Sequence, residues 1–341
     1  MKLLRFLLLP FSLLYGLITW CRNLLYDYTI LSSTSFQIPI IIVGNLSVGG
    51  TGKTPQVEYL VRLLKNSYKI AILSRGYGRK SKGHININKN HKSLDVGDEP
   101  LQYFLKFKSV SVSVNEKRVA GVQNLLKDVS PKVILLDDAY QHRKINGSFL
   151  ILLTKYNDLF TDDFLLPTGN LRESSSGACR ANVIVVTKCP ESLTKNQQDL
   201  ITANFSKFKK PVFFSTISYA SLTKGAFSYS INQLISKEIV LITGIANPNP
   251  LIEYLEENKI NFHHLKYPDH HHFSKKDLEE ISTTFMKLRG NEKVLLTTEK
   301  DYVRLQDKLP QLSFLEIETK FLNNKEKEFN SLVLNSISNK D

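Results

Sequence analysis

Cysteine is scarce. Cys21, Cys179 and Cys189 are the only three, and no pair has metal or redox spacing. That excludes a disulfide framework and fits a reducing compartment. Acidic residues are also short: 32 Asp and Glu stand against 45 Lys and Arg, a formal charge of +13. Such a chain is drawn to anionic surfaces, lipid or nucleic acid. Nucleic-acid signatures are missing, however. The basic stretches Arg79–Lys82 and Lys207–Lys210 carry neither an RNP pattern nor a paired CxxC. They read as solvated surface, and no nucleic-acid partner is expected. A polar face is missing near the N-terminus, where Leu3 to Trp20 is apolar except for Arg5, Ser12 and Thr19.

That run admits several readings. As a helix its 18 residues span about 27 Å, just short of a ~30 Å hydrocarbon core. Pro10 and Gly16 weaken the helix, and Arg5 has to snorkel. A signal peptide needs a small-residue cleavage site, which Trp20-Cys21-Arg22-Asn23 is not. A helix buried against the domain is the bland alternative. An anchor embedded in one leaflet suits the length and the aromatics Phe6, Phe11, Tyr15 and Trp20. A membrane anchor, monotopic or single-pass, is the expectation, because no polar face exists to meet water.

What is present is a glycine-rich loop. Val43-Gly44-Asn45-Leu46-Ser47-Val48-Gly49-Gly50-Thr51-Gly52-Lys53-Thr54 follows the apolar run Ile38–Val43. It precedes Val57, Leu60, Val61 and Leu64, a stripe at helical spacing. Strand, glycine turn and helix is the setting of a P-loop. Backbone N–H groups of Ser47 to Thr54 can surround phosphate oxygens at the helix N-terminus. Lys53 can reach the β- and γ-phosphates, and the Thr54 hydroxyl can bind Mg²⁺. Ser47 departs from the general pattern, which has glycine there. A nucleoside triphosphate is therefore the expected ligand.

Short β-rich runs alternate with helical patterns. Strands are predicted at Ile40–Val43, Lys69–Leu73, Val133–Leu136, Phe149–Leu153, Val183–Thr187 and Val212–Ser215. The alternation predicts an α/β fold, a P-loop NTPase-type parallel sheet core covered by helices. Thr216 to Ser230 is more polar and interrupts it, and a new alternation starts at Glu238. There Ser274 and Asp277 cap a helix with Leu278, Ile281, Phe285 and Leu288, ended by Gly290. The expected division is an anchor at 1–30, a core domain at 31–225, and a second, smaller α/β domain at 226–341. Lys80–Ser93 reads as an exposed loop.

Several clusters can carry chemistry. Val133–Asp138 has the form of a strand that delivers carboxylates beside the P-loop, with Asp137 placed to hold Mg²⁺ and Asp138 near it. Gly97-Asp98-Glu99-Pro100 offers an acceptor-orienting base, or a plain helix cap with Pro100 in the first turn. Five of the eight histidines crowd into 261–272. Neighbouring histidines in a loop rarely point to one centre. One functional histidine held by Asp269 or another carboxylate is the better reading. Leu166–Glu173 supplies Arg172 for phosphate charge and Glu173 as another carboxylate.

Taken in order, GNLSVGGTGKTP, ILSRGYGRKSKG, VGDEP, DDAYQHRKI, LLPTGNLRES, ITGIANP, YPDHHH and TTEKDYVRL resemble the tetraacyldisaccharide 4′-kinase family of lipid A biosynthesis. The resemblance runs from the apolar N-terminus to about Leu305. Ser47 fits the family, whereas Ala139 and Tyr140 depart from its usual DDGFQH. The resemblance implies ATP and Mg²⁺ as cofactors and a second domain that closes over the nucleotide. It implies transfer of the γ-phosphate to the 4′-hydroxyl of tetraacyldisaccharide 1-phosphate, giving lipid IVA at the cytoplasmic face of the bacterial inner membrane. By resemblance, Asp98 is the base, paired with His270. Asp137, Asp138, Glu99 and Glu173 serve the metal or catalytic centre, Arg172 neutralises phosphate charge, and Arg75 and Arg118 meet the substrate phosphate.

The rival is a membrane-associated regulatory or targeting P-loop NTPase. Deviant P-loops of that kind carry a lysine before the paired glycines, where Val48 stands. A GTPase needs N-K-x-D, and the segment after Val186 reads T-K-C-P.

Overall fold

The computed structural model describes residues 5–290 and 292–338. Leu3 and Leu4 of the apolar run lie outside the described residues. The strands are β1 (Ile40–Asn45), β2 (Ile70–Ser74), β3 (Ile85–Asn86), β4 (Ser111–Val114), β5 (Val133–Asp137), β6 (Phe149–Lys155), β7 (Val183–Thr187), β8 (Val212–Gly225), β9 (Glu238–Thr243), β10 (Phe262–Lys266), β11 (Lys293–Thr298) and β12 (Leu312–Phe321). The longer helices are α1 (Leu9–Asp27), α2 (Lys53–Leu64), α3 (Asp98–Lys106), α4 (Arg118–Asp128), α5 (Lys195–Asn204), α6 (Asn249–Glu257), α7 (Lys275–Lys287), α8 (Glu299–Leu305) and α9 (Glu326–Ser338).

Among the described residues all twelve strands share one sheet, ordered β10-β9-β11-β12-β8-β7-β6-β1-β5-β2-β4-β3. The runs that predicted strands are buried on both faces, as parallel strands covered by helices must be. β1 lies between β5 and β6, parallel to both. The chain crosses from one side of β1 to the other there. Loops at the carboxyl ends of β1 and β5 thus open at a switch point, where α/β sheets bind ligands.

The polar stretch after Ser215 does not break the sheet. β8 continues to Gly225 and turns from a parallel pairing with β7 to an antiparallel one with β12. Its second half is only partly covered, so its sequence is polar. The Lys80–Ser93 loop holds the two-residue strand β3, paired antiparallel with β4. α7 is capped by Ser274 and Asp277, but it stops at Lys287, where Leu288 turns extended (ψ 139°) before Gly290.

Of the five core clusters among the described residues, two flank the β8–β12 junction. One, the core of the body under β9 and β11, gathers Leu234, Ile239, Leu251, Leu255, Val294 and Leu315. The larger one lies around β1, β5, β6 and β7. The chain ends in the larger one: Phe329, Val333 and Ile337 of α9 pack there with Phe213 and Phe321.

α1 is inverted relative to a soluble amphipathic helix. Its few polar groups face the protein and its apolar groups face outward: Ser12 is 4% exposed and Leu13 is 67% exposed. Ser12 Oγ donates to Thr168 Oγ1 (2.7 Å), Tyr15 OH to Arg172 O (2.7 Å) and Asn23 Nδ2 to Glu173 Oε2 (2.9 Å). Arg5, just before it, donates to Pro167 O and Asn170 Oδ1. Phe6, Phe11, Leu14, Leu17, Ile18 and Trp20 remain exposed.

A buried ion cluster ties the elements around the site. Lys106 Nζ, at the end of α3, lies 2.5 Å from Glu58 of α2, 2.9 Å from Glu299 of α8 and 2.5 Å from Glu316 of β12. Burial raises Glu58, and burial with the Glu58 charge pushes Glu299 up to about 8. Lys106→Met strands these carboxylates without their buried cation. It is expected to cost about 3–5 kcal/mol in urea unfolding. A loss under about 1 kcal/mol would show the cluster to be dispensable.

Candidate active site

The P-loop leaves β1 at Asn45 and enters α2 at Lys53. Gly49 (φ 99°) and Gly52 (φ 81°) take left-handed backbone that a side chain would strain. The loop is tied on both flanks. Val48 N donates to Asn170 O (2.8 Å), and Thr187 Oγ1 donates to Thr51 O (2.9 Å). Gly44 is needed for another reason: a Cβ there would lie 2.6 Å from Cβ of Tyr140.

β5 carries Asp137 to the same end of the sheet, as its sequence predicted. Asp137 Oδ2 accepts from Ser74 Oγ (3.3 Å). Its Oδ1 is buried and has no hydrogen-bond partner among the described residues. Burial, with the neighbouring Asp138 charge, pushes the Asp137 carboxyl up to about 7. Asp138 follows in left-handed backbone (φ 47°) and turns to cations. Arg172 reaches its two oxygens at 2.8 and 3.3 Å, and Lys53 Nζ lies 3.7 Å away. Burial would raise Asp138, but Lys53 and Arg172 outweigh it and hold the group low. Lys53 also meets Asn45 Oδ1 at 3.4 Å. Thr51 Oγ1 and Arg172 Nε are buried without a partner among the described residues. Buried polar atoms are normally paired with protein, water or a bound group.

The second half of the site joins α3 to the other body. Asp98 begins α3 after Gly97 (φ 93°). Its Oδ2 lies 2.5 Å from Arg304 Nη2 and 3.1 Å from His270 Nδ1. Burial would raise the Asp98 carboxyl, but hydrogen bonds from His270 and Arg304 hold it far below its ordinary value. Glu99 pairs with Lys300 (3.2 Å), so this oxygen is already engaged.

The histidines separate as neighbours in a loop should. His270 faces Asp98, and Asp269 stands farther off at 3.9 Å. His271 pairs with Asp277 (2.9 Å), and His264 with Thr243 (2.8 Å). Glu173 is fully buried, and its oxygens meet Arg180 (2.8 and 2.9 Å), Gln141 (3.0 Å) and Asn23 (2.9 Å). That set is a strut between α1 and the β5 loop. Tyr140 OH donates to Gly177 O at 2.8 Å.

A cationic rim borders the aspartates. Arg118 is buried with Nε unpartnered among the described residues, and Arg75 is exposed nearby. Burial lowers Arg118 to about 10. Burial and the charges of Arg118, Lys144 and Arg75 push His142 down to about 4.

Sequence reasoning singles out neither Asn45 nor Arg304, and it reads Lys300, within 298–301, as structural or nucleotide-adjacent. Lys300 and Arg304 stand four apart on α8, one face of one helix, and that spacing was the available signal.

A glycine loop with its lysine, an acid-tipped neighbouring strand and a bridging arginine define a nucleotide-binding protein of the P-loop class. The chain matches the family described as tetraacyldisaccharide-1-P 4′-kinase (LpxK) over residues 4–338. It is 50% identical over 331 residues to the tetraacyldisaccharide 4′-kinase of Flavobacterium johnsoniae, covering 96% of this chain and 95% of that one. It is 40% identical to the same enzyme of Bacteroides thetaiotaomicron, with 96% and 92% covered. The crystal structure of the "apo" form of LpxK from Aquifex aeolicus, in complex with ATP, superposes with a TM-score of 0.80. That pair shares 32% identity, with 98% and 99% covered. The chain belongs to the tetraacyldisaccharide 4′-kinase family.

Proposed function

We propose that this chain transfers the γ-phosphate of ATP to the 4′-hydroxyl of tetraacyldisaccharide 1-phosphate, working on the cytoplasmic face of the inner membrane. One observation carries the lipid half of this reading. The outward-apolar α1 is hydrogen-bonded along residues 165–173, the segment that also presents Arg172 to Asp138. A surface suited to lipid and the phosphate site thus share one short stretch of chain.

The P-loop amides of Ser47 to Thr54 bind the nucleotide phosphates, and Lys53 and Arg172 face the charge that spreads during transfer. The donor set fits a magnesium ion: Asp137 offers a buried, unspent oxygen, and the Thr54 hydroxyl lies at the start of α2. Mg²⁺ held there would supply positive charge to the β- and γ-phosphate oxygens. Asp138 lies beside that place but is held by Arg172 and Lys53, so we assign it to orienting those cations. Glu99 and Glu173, engaged by Lys300 and Arg180, take positioning roles here. Asp98, oriented by His270, receives the proton of the acceptor hydroxyl. Arg75, exposed, is suited to the substrate's 1-phosphate, whereas Arg118 is buried with Nη1 on Asn115 O (3.0 Å) and adds its charge from beneath. The second body carries His270, Lys300 and Arg304, so its closure completes the site and keeps water from the γ-phosphate.

ATP turnover in detergent tests this against a regulatory NTPase. A lipid kinase consumes ATP in mixed micelles only when the disaccharide lipid is present. Steady hydrolysis without lipid, stimulated by a protein partner, would support the rival.

The anchor makes a separate prediction. Leu13→Lys with Leu17→Lys places two charges on the exposed face of α1, each costing about 2.5–3.5 kcal/mol at the centre of a bilayer. Sedimentation with anionic vesicles should fall at least tenfold, with an unchanged melting temperature. Undiminished sedimentation would remove α1 from membrane binding.

A further inference from the structure

Two cations of α8 approach the two ring nitrogens of His270. Lys300 Nζ lies 3.0 Å from Nε2, and Arg304 Nη2 lies 3.2 Å from Nδ1. Lysine and arginine only donate, and a neutral imidazole has a single bare nitrogen. One of the two approaches is therefore not a hydrogen bond.

The distances decide which. Arg304 Nη2 is 2.5 Å from Asp98 Oδ2, much closer than it is to the ring. Nη2 carries two protons, and the shorter, charge-assisted approach places one of them on the carboxylate. Nδ1 is 3.1 Å from that same oxygen, which only accepts, so this approach is a hydrogen bond only when Nδ1 carries the ring proton. The 3.2 Å approach of Arg304 follows from two donors sharing one acceptor. Lys300 uses one proton on Glu99 (3.2 Å) and has others for Nε2.

We propose that Lys300 is a positioning residue that selects the Nδ1–H tautomer of His270 by donating to Nε2. This deepens the role given above to Asp98 and His270 and rests on it. The competing tautomer is close at hand. Asp269 Oδ2 stands 3.9 Å from Nε2 and would draw a proton there. Nδ1 would then be bare and would accept the second Nη2 proton of Arg304. Asp98 would lose the hydrogen bond from His270 and its fixed orientation toward the acceptor. Lys300 blocks that exchange by filling the Nε2 lone pair. The backbone supports the geometry: His270 is in left-handed conformation (φ 57°), and its N–H donates to Gly244 O (3.2 Å).

The test is a two-bond ¹H–¹⁵N correlation spectrum of the histidine-labelled full chain in micelles, with His270 assigned from an H270N sample. Wild type and Lys300→Arg should both show the proton on Nδ1. Lys300→Met should shift it wholly or partly to Nε2. In that variant kcat should fall about tenfold, with the KM for ATP within about twofold. A proton on Nε2 in the wild type overturns the proposal without any variant. So does a Lys300→Met spectrum that keeps Nδ1–H, or a changed tautomer with an unchanged kcat. Asp98→Asn measured alongside separates the two ideas. If it retains kcat, the base assignment fails, while the spectra still decide the role of Lys300.

Discussion

Asp98→Asn should reduce lipid phosphorylation by about 10²- to 10⁴-fold, the range expected when a general base is removed. The amide keeps the shape of the carboxylate but cannot take the acceptor's proton. Equilibrium binding of ATP should stay within about twofold, because Asp98 begins α3 and is outside the phosphate loop. The same change should destabilise the fold. Asp98 is held far below its ordinary value by His270 and Arg304. A depressed carboxyl stabilises the folded state above its unfolded pKa of about 3.8, and that stabilisation is lost as pH falls through the folded value. At pH 7 the Asn variant forfeits it, by about 1–3 kcal/mol in denaturant titration. Full activity in a stably folded variant would move the base elsewhere.

Asp137→Asn should do the opposite to stability and still abolish turnover. Burial pushes Asp137 up to about 7. A raised carboxyl holds its proton in the folded chain while the unfolded chain has released it. Stability therefore declines as pH rises from about 4 through 7 and is flat above. Asn carries no charge to desolvate. Without nucleotide, the variant should be more stable than wild type at pH 8 by about 2 kcal/mol. Its melting temperature should also lose most of its decline across that window. Activity should fall at least 10²-fold, since an amide is a poor ligand for the cation that accompanies ATP. Equal or lower stability of Asp137→Asn at pH 8 would mean that the buried carboxylate is already compensated in the folded state.

These two aspartates show how far the sequence can be read. Asp137 is legible because four apolar residues before it bury a strand and so fix where the carboxylate emerges. Asp98 is legible only as a carboxylate at a helix start, and a cap would look the same. The partners that depress it, His270 and Arg304, come from far along the chain, and periodicity cannot bring them together. The polar half of β8 was hidden for a related reason. Its neighbours cover it only partly, so it lacks the apolar run that marks a buried strand. The inverted face of α1 was half legible: the missing amphipathicity was plain, but which residues turn toward the protein depends on the acceptors at Leu165, Thr168 and Arg172. Glu173 read as a spare carboxylate because Arg180 and Asn23, which occupy it, are joined to it only by the fold.

The most direct measurement gives wild-type protein γ-³²P-labelled ATP, Mg²⁺ and tetraacyldisaccharide 1-phosphate in detergent micelles and locates the label. A lipid kinase of the kind proposed places it on the 4′-position of the disaccharide. Label found only in inorganic phosphate, or on the protein itself, would contradict phosphoryl transfer to lipid.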